Sequence, residues 1–210
     1  MLSSALIIHH YVALIAITNP LSAIAIFLGL TESYTAKEAN STALLTFIGI
    51  CVILIIMTWV GLPLLSVFGI SPAEFSVAGG AVIVYIGFEM LQGNMSKSSH
   101  SSEEHQAAQK KDSIAIIPLA IPIIAGPGAM VQTVLIANTM PTITGKITLT
   151  IISCVVAFTI YLVLRFSGPV HRLLGVSGLK IVTRIMGLIL MSMAVSMMAK
   201  GFVGVFPGWQ

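Results

Sequence analysis

"PLAIPIIAGPGAMVQT", residues 118–133, puts three prolines and two glycines inside one of the most apolar regions of a 210-residue chain. Proline has no amide hydrogen and its ring blocks the preceding helical turn, so it bends or stops a helix. In hydrocarbon that matters more than in water, because no solvent is there to take over a lost backbone hydrogen bond. The stretch therefore reads as a membrane-crossing helix interrupted in mid-course. Gly126, Pro127 and Gly128 form the full break, and Pro118 and Pro122 bend the segment leading to it.

Composition supports the membrane reading. The chain is 57% hydrophobic and 8% charged, with a mean hydropathy of +1.03, where a soluble domain carries about 25% charged residues. Charge runs divide it into six apolar stretches, at residues 5–30, 40–62, 74–92, 114–137, 147–166 and 181–203. Each approaches the roughly 20 residues that span a bilayer. The last needs Arg184 and Lys200 to reach toward the two interfaces. The amino end lacks the basic region of a cleaved signal peptide and is expected to stay as the first span. The predicted fold is thus an all-α, polytopic membrane protein with six transmembrane helices.

The net charge of +3 and pI near 9.0 do not indicate nucleic acid, since the charges sit in short connectors and form no basic face. Cys51 and Cys154 lie in apolar runs without metal-ligand spacing and are expected to be buried packing residues. Residues 96–112 are the one long polar segment and read as a cytoplasmic linker between residues 1–95 and 113–210. His100 and His105 flank Glu103 and Glu104 there, but in a solvated loop with no rigid frame they give no metal site.

Lys37, Lys97, Lys110, Lys111, Arg165, Arg172, Lys180 and Arg184 fall on one side of the membrane, and only Lys146 and Lys200 on the other. Basic loops stay in the cytoplasm. Both termini are therefore expected outside an inner, or plasma, membrane.

The two halves repeat. "VGLPLLSVFGIS" (residues 60–71) aligns with "FSGPVHRLLGVS" (166–177), pairing Pro63 with Pro169, Gly69 with Gly175 and Ser71 with Ser177. At nearly the same offset Asn19-Pro20 faces Gly126-Pro127, and Gly79 faces Gly187. Three spans per unit is an odd number, so the second unit enters from the opposite side. Inverted repeats with helices 1 and 4 broken at corresponding positions point to a secondary transporter with its site near the midplane.

The breaks have a definite chemistry. Pro20 and Pro127 suit the first position of a new half-helix, with Asn19 as an N-cap and Gly126 allowing close backbone approach. Free amides at a helix start favour an anion, and the carbonyls of the ending half-helices suit an ammonium group. Thr18, Ser22, Gln132 and Thr133 lie within about two turns and add hydrogen-bonding groups. The expected ligand is a small zwitterion, with no cofactor, no metal and no catalytic residue; an enzyme is not expected, because no nucleophile with a base partner and no carboxylate pair can be placed together.

Other residues read more plainly. Glu89 and Arg184, near the inner ends of spans three and six, are candidates for coupling or gating, although both fit an interfacial role. His9 and His10 read as interfacial. Gly79, Gly80 and Gly187 allow close helix packing, and the eleven methionines are adaptable packing.

"PLAIPIIAGPGA", "NPLSAIAIFLGLT", "FGIS" followed by "VAGG", and "TRIMGLIL" with "GVFPG" resemble the MarC family of small membrane proteins over nearly the whole chain. The resemblance implies a six-span member of the lysine-exporter superfamily that moves small neutral amino acids such as glycine or alanine. Its motif falls on Asn19, Pro20, Pro118, Pro122, Gly126, Pro127, Gly128, Arg184 and Gly187. Where many relatives have arginine before the glycine pair of span three, this chain has Ser76. An ion or metal exporter is the alternative, and a membrane assembly factor acting through the polar linker a further one. A proton or sodium ion is left as the coupling partner, and the oligomeric state is open.

Overall fold

A computed structural model describes residues 4–32, 34–93, 124–206 and 208. Every regular element among them is helical: α1 (Ser4–Thr18), α2 (Pro20–Leu30), α3 (Ala36–Val67), α4 (Pro72–Gln92), α5 (Pro127–Thr139), α6 (Ile143–Arg165) and α7 (Ser167–Val205). Five described segments are long and apolar enough to cross a membrane: Ser4–Ile24, Ala36–Val67, Pro72–Gln92, Ile143–Arg165 and Ser177–Val205. The chain is an integral membrane protein. Of the expected span at 114–137, the described part is α5, whose 13 residues are too short to cross alone. The linker at 96–112, with His100 and His105, and the prolines Pro118 and Pro122 lie outside the described residues.

Local chemistry sets the helix ends. Thr35 and Glu38 cap α3 reciprocally, side chain to backbone, and Ser71 and Glu74 do the same for α4. α3 continues through Pro63 to Val67, beyond the end expected at residue 62. Its 32 residues extend about 48 Å at 1.5 Å per residue, more than the roughly 30 Å hydrocarbon layer requires.

A second difference concerns the connector expected between spans five and six. It is mostly helical: α7 starts two residues after α6 ends, and Gly175 (φ 62°, ψ 178°) is its one non-helical position. The aligned Gly69 has φ 68°. Both hold a left-handed backbone that residues with a Cβ rarely adopt. The aligned connectors therefore share a positive φ at this position.

α4 packs most closely with α7, and α3 with α6; α2 meets α6 and α7, while α5 meets α3 and α4. Glycines allow the approach. A Cβ on Gly187 would lie 2.8 Å from the carbonyl oxygen of Gly87, and one on Gly80 would be 2.3 Å from Met198 Cγ. The broken first span runs through the centre, with 56% of its most apolar window buried against 17% for Ser177–Val205. Val52, Ile56 and Val60 on α3 and Ile151 and Val155 on α6 face outward, as lipid contact requires. Cys51 and Cys154 are half-buried packing residues rather than fully buried ones.

Candidate functional site

The first break is built by Asn19. It holds φ 43°, ψ 67°, the single positive φ at a non-glycine among the described residues. Its amide nitrogen still closes α1 onto the Ile15 carbonyl (3.0 Å), and its carbonyl accepts from Ala23 N–H to open α2 (3.3 Å). The side-chain Oδ1 accepts from Ser22 N–H at 3.4 Å, and Nδ2 donates to Ser22 Oγ. Nδ2 also lies 3.6 Å from Met90 Sδ on α4, and Ser22 Oγ lies 3.1 Å from Thr183 Oγ1 on α7. Pro20 follows at the first helical position. Thr18, Asn19 and Ser22 are all buried, and the Thr18 hydroxyl donates to the Leu14 carbonyl at 2.8 Å.

The second break differs in one respect. Gly126 is the N-cap of α5 and offers no side-chain cap; Pro127 is the first helical residue, and Met130 N–H reaches the Gly126 carbonyl at 3.1 Å. Asn19 caps its own half-helix, so the start of α2 is occupied internally. The start of α5 lacks such a group and is the better acceptor for an outside anion.

The two breaks come together. A Cβ on Gly128 would lie 3.4 Å from Ile17 Cγ2 and 3.2 Å from Ile83 Cγ1, so α5 touches the last turn of α1 and the middle of α4. On one side of this contact opens a cleft of about 660 Å3. Its mouth is formed by the first half of α1 (His9, His10), the start of α4 (Pro72) and the ends of α5 (Thr139) and α7 (Lys200). Those four segments share one face of the molecule. On the other side, a cavity of about 30 Å3 is lined by Thr18, Asn19, Ser22 and Met90. Ile17 borders both spaces.

The expected site residues thus divide. Thr18, Asn19 and Ser22 border the small cavity, Gln132 borders the cleft, and Gly128 packs between them. Thr133 is fully buried and donates to the Ala129 carbonyl at 2.7 Å, within its own helix. Glu89 accepts from Tyr85 Oη–H at 2.8 Å, and the exposed Arg184 reaches the Gly93 cap of α4, 4.0 Å from a Cβ placed there. Both therefore sit at the end of α4 away from the cleft mouth. Ser76 borders the cleft and donates to the Met197 carbonyl at 2.9 Å. Sequence reasoning missed Ile17, Ile83, Met90 and Thr183. His10, expected near the interface, is buried within the protein and lines the cleft.

The family described as MarC family integral membrane protein matches residues 4–206. The chain belongs to the MarC family. Relatives include UPF0056 membrane protein YhcE of Escherichia coli, 31% identical over 198 residues, 94% of this chain and 92% of that one. YvbG of Bacillus subtilis, a UPF0056 membrane protein, is 34% identical, covering 96% of each chain. A UPF0056 membrane protein of Pyrococcus abyssi is 36% identical over 93% of this chain and 94% of its own. No solved structure matches significantly. The broken first span and the start of α5 described above therefore belong to a MarC chain, in which Asn19-Pro20 and Gly126-Pro127-Gly128 are the elements that carried the sequence resemblance.

Proposed function

We propose that this MarC chain is a secondary transporter that exports small neutral amino acids, of the glycine and alanine type, across the inner membrane by alternating access. The observation that carries the reading is the position of the Asn19 break: it lies beside a small cavity that shares Ile17 with an open cleft. A helix broken inside the membrane, with a wide cleft on one side and a much smaller space on the other, suits one end state of such a cycle.

In this reading residues 1–95 and 113–210 are inverted three-helix units. The exchange of partners, α2 against α6 and α7 and α5 against α3 and α4, is what a two-fold axis in the membrane plane generates. The positive φ shared by Gly69 and Gly175 supports it too. Gly79 and Gly187 depart from it, since the first packs on Val131 and the second on Gly87.

The substrate carboxylate takes the uncapped start of α5 at Gly128, and the ammonium group takes the last carbonyls of α1 with the Thr18 hydroxyl. The cavity of about 30 Å3 holds about one water molecule's share of volume, so binding requires Ile17 and Gly128 to separate. Glu89 and Arg184, at the opposite end from the cleft mouth, are the groups assigned to coupling or gating, with a proton or sodium ion as the coupling partner. Reconstituted protein should exchange labelled glycine or alanine, and Gly128→Leu should abolish exchange. Wild-type vesicles without exchange would sink the transport reading, and unchanged flux in the variant would sink the site.

A further inference from the structure

The turn of chain between the last two spans carries a surface that neither the cleft nor the helix breaks use. α6 ends at Arg165 and the last membrane-long segment starts at Ser177, so residues 166–174, which end at the non-helical Gly175, lie between two spans. Positions i, i+3 and i+7 of a helix share one side. Ser167, Val170 and Leu174 form the side turned to the protein, the first buried and the others half-buried, whereas Phe166, Pro169 and Leu173 are exposed. Leu173 is 86% exposed, more than any other large hydrophobic side chain among the described residues.

Charge runs beside this apolar ridge. Arg165 and Arg172 are exposed one position ahead of Phe166 and Leu173. Residues 113–210 contain no acidic side chain, and no ion pair engages either arginine among the described residues. The aligned connector on the cleft face makes the comparison. Val67, at the position of Leu173, is 81% exposed, but Leu65 and Ser66 stand where His171 and Arg172 do. Both connectors therefore offer an apolar side chain at the edge of the membrane, and only the second adds unpaired positive charge. Apolar side chains set beside basic ones suit the boundary between headgroups and acyl chains, and the planar guanidinium fork matches a phosphate.

We propose that residues 165–173 form a docking surface for anionic phospholipid, with Arg165 and Arg172 on headgroup phosphates and Phe166 and Leu173 among the acyl chains. It requires neither translocation nor the helix breaks, so it goes beyond the transport reading and either can fail alone.

The test titrates the full chain in detergent with dioctanoyl phosphatidylglycerol, with dioctanoyl phosphatidylcholine and with glycerol 3-phosphate, and counts the bound molecules by native mass spectrometry. A basic residue near an anionic membrane surface contributes a factor of roughly five, so phosphatidylglycerol should bind at least about fivefold more tightly than phosphatidylcholine. Glycerol 3-phosphate, which has no acyl chains, should not bind in the same range. Arg165→Gln with Arg172→Gln should bring phosphatidylglycerol down to phosphatidylcholine, Leu173→Ser should weaken both lipids, and Lys146→Gln, on the other face, should leave the preference intact. Equal binding of the two lipids by the wild type, an unchanged preference in the double variant, or glycerol 3-phosphate binding as well as phosphatidylglycerol each overturns the proposal. A second measurement needs no variant: phenylglyoxal should modify Arg172 more slowly in phosphatidylglycerol nanodiscs than in phosphatidylcholine ones, and equal rates also overturn it. Lipid preference in a preparation without glycine or alanine exchange keeps the surface and removes the transport reading; exchange without lipid preference does the reverse.

Discussion

The hydroxyl oxygens of Ser22 and Thr183 stand 3.1 Å apart and join α2 to α7 across 161 positions of sequence. Ser22 Oγ also accepts from Asn19 Nδ2, so the same oxygen joins the helix break to the end of α7 away from the cleft mouth. A hydrogen bond between membrane helices contributes about 0.6 kcal/mol on average and up to about 1.7. At about 1.36 kcal/mol per tenfold, that is roughly a 3- to 20-fold bias toward the state in which it forms. Thr183→Val should shift the protein away from the cleft-open state by that factor, and Ser22→Ala by more, because it loses two bonds. In a background with Cys51 and Cys154 replaced by alanine, Gln132→Cys reports the opening of the cleft by its labelling rate. An unchanged rate in Thr183→Val would show that this bond does not bias the states.

Asn19 combines a strained backbone with a cap, and two substitutions separate them. Asn19→Gly keeps the left-handed conformation, φ 43°, and loses the side-chain bond to Ser22 N–H. Asn19→Ala loses the bond and adds about 1–2 kcal/mol for an alanine in left-handed backbone. Thermal unfolding in detergent should rank wild type above Asn19→Gly, and Asn19→Gly above Asn19→Ala. Were alanine the milder change, the left-handed geometry at this break would have no energetic weight.

Much of this architecture can be read from the chain, for physical reasons that also mark where reading stops. Apolar runs bounded by charge place five spans because a bilayer demands both length and absence of charge. Asn19-Pro20 and Gly126-Pro127 are visible because proline removes a donor wherever it stands. The end of α3 was not visible: Pro63 looks like a boundary, yet the helix passes it. His10 was not visible either, since a histidine near the end of an apolar run gives no sign of which helix face borders a cleft. Met90 and Thr183 reach Asn19 and Ser22 from α4 and α7, and no local pattern in those helices signals a partner 71 or 161 positions away.

Gly79 and Gly29 make opposite predictions for the same substitution. A Cβ on Gly79 would lie 2.2 Å from Val131 Cγ1 and 2.9 Å from Val131 Cβ, whereas nothing lies within 4 Å of one on Gly29. Gly79→Ala should destabilise by about 1–3 kcal/mol, as overpacking does. Gly29→Ala should be neutral or stabilising by up to about 1 kcal/mol, because glycine is a poor helix former. Val131→Ala added to Gly79→Ala should recover part of the loss, with a coupling of at least about 0.5 kcal/mol in the double-mutant cycle. Additive effects would mean that α4 and α5 do not meet at this pair.

The cleft face is the sparsely charged face, and this predicts its direction. Lys200 lies at the cleft mouth. Lys146 stands 5.6 Å above the Trp59 ring, whose Nε1–H donates to Thr150 Oγ1 at 3.1 Å, an aromatic and a lysine placed as at a membrane interface. Lys37, Arg165, Arg172, Lys180 and Arg184 all belong to the opposite face by alternation of the spans. If basic residues mark the cytoplasm, the cleft opens outward and both termini are outside. Alkaline phosphatase fused after Gln210 should then be active, and a green fluorescent protein fused there should be dark. The reverse pattern would turn the cleft toward the cytoplasm and make the opening at His10 an entry for export rather than an exit.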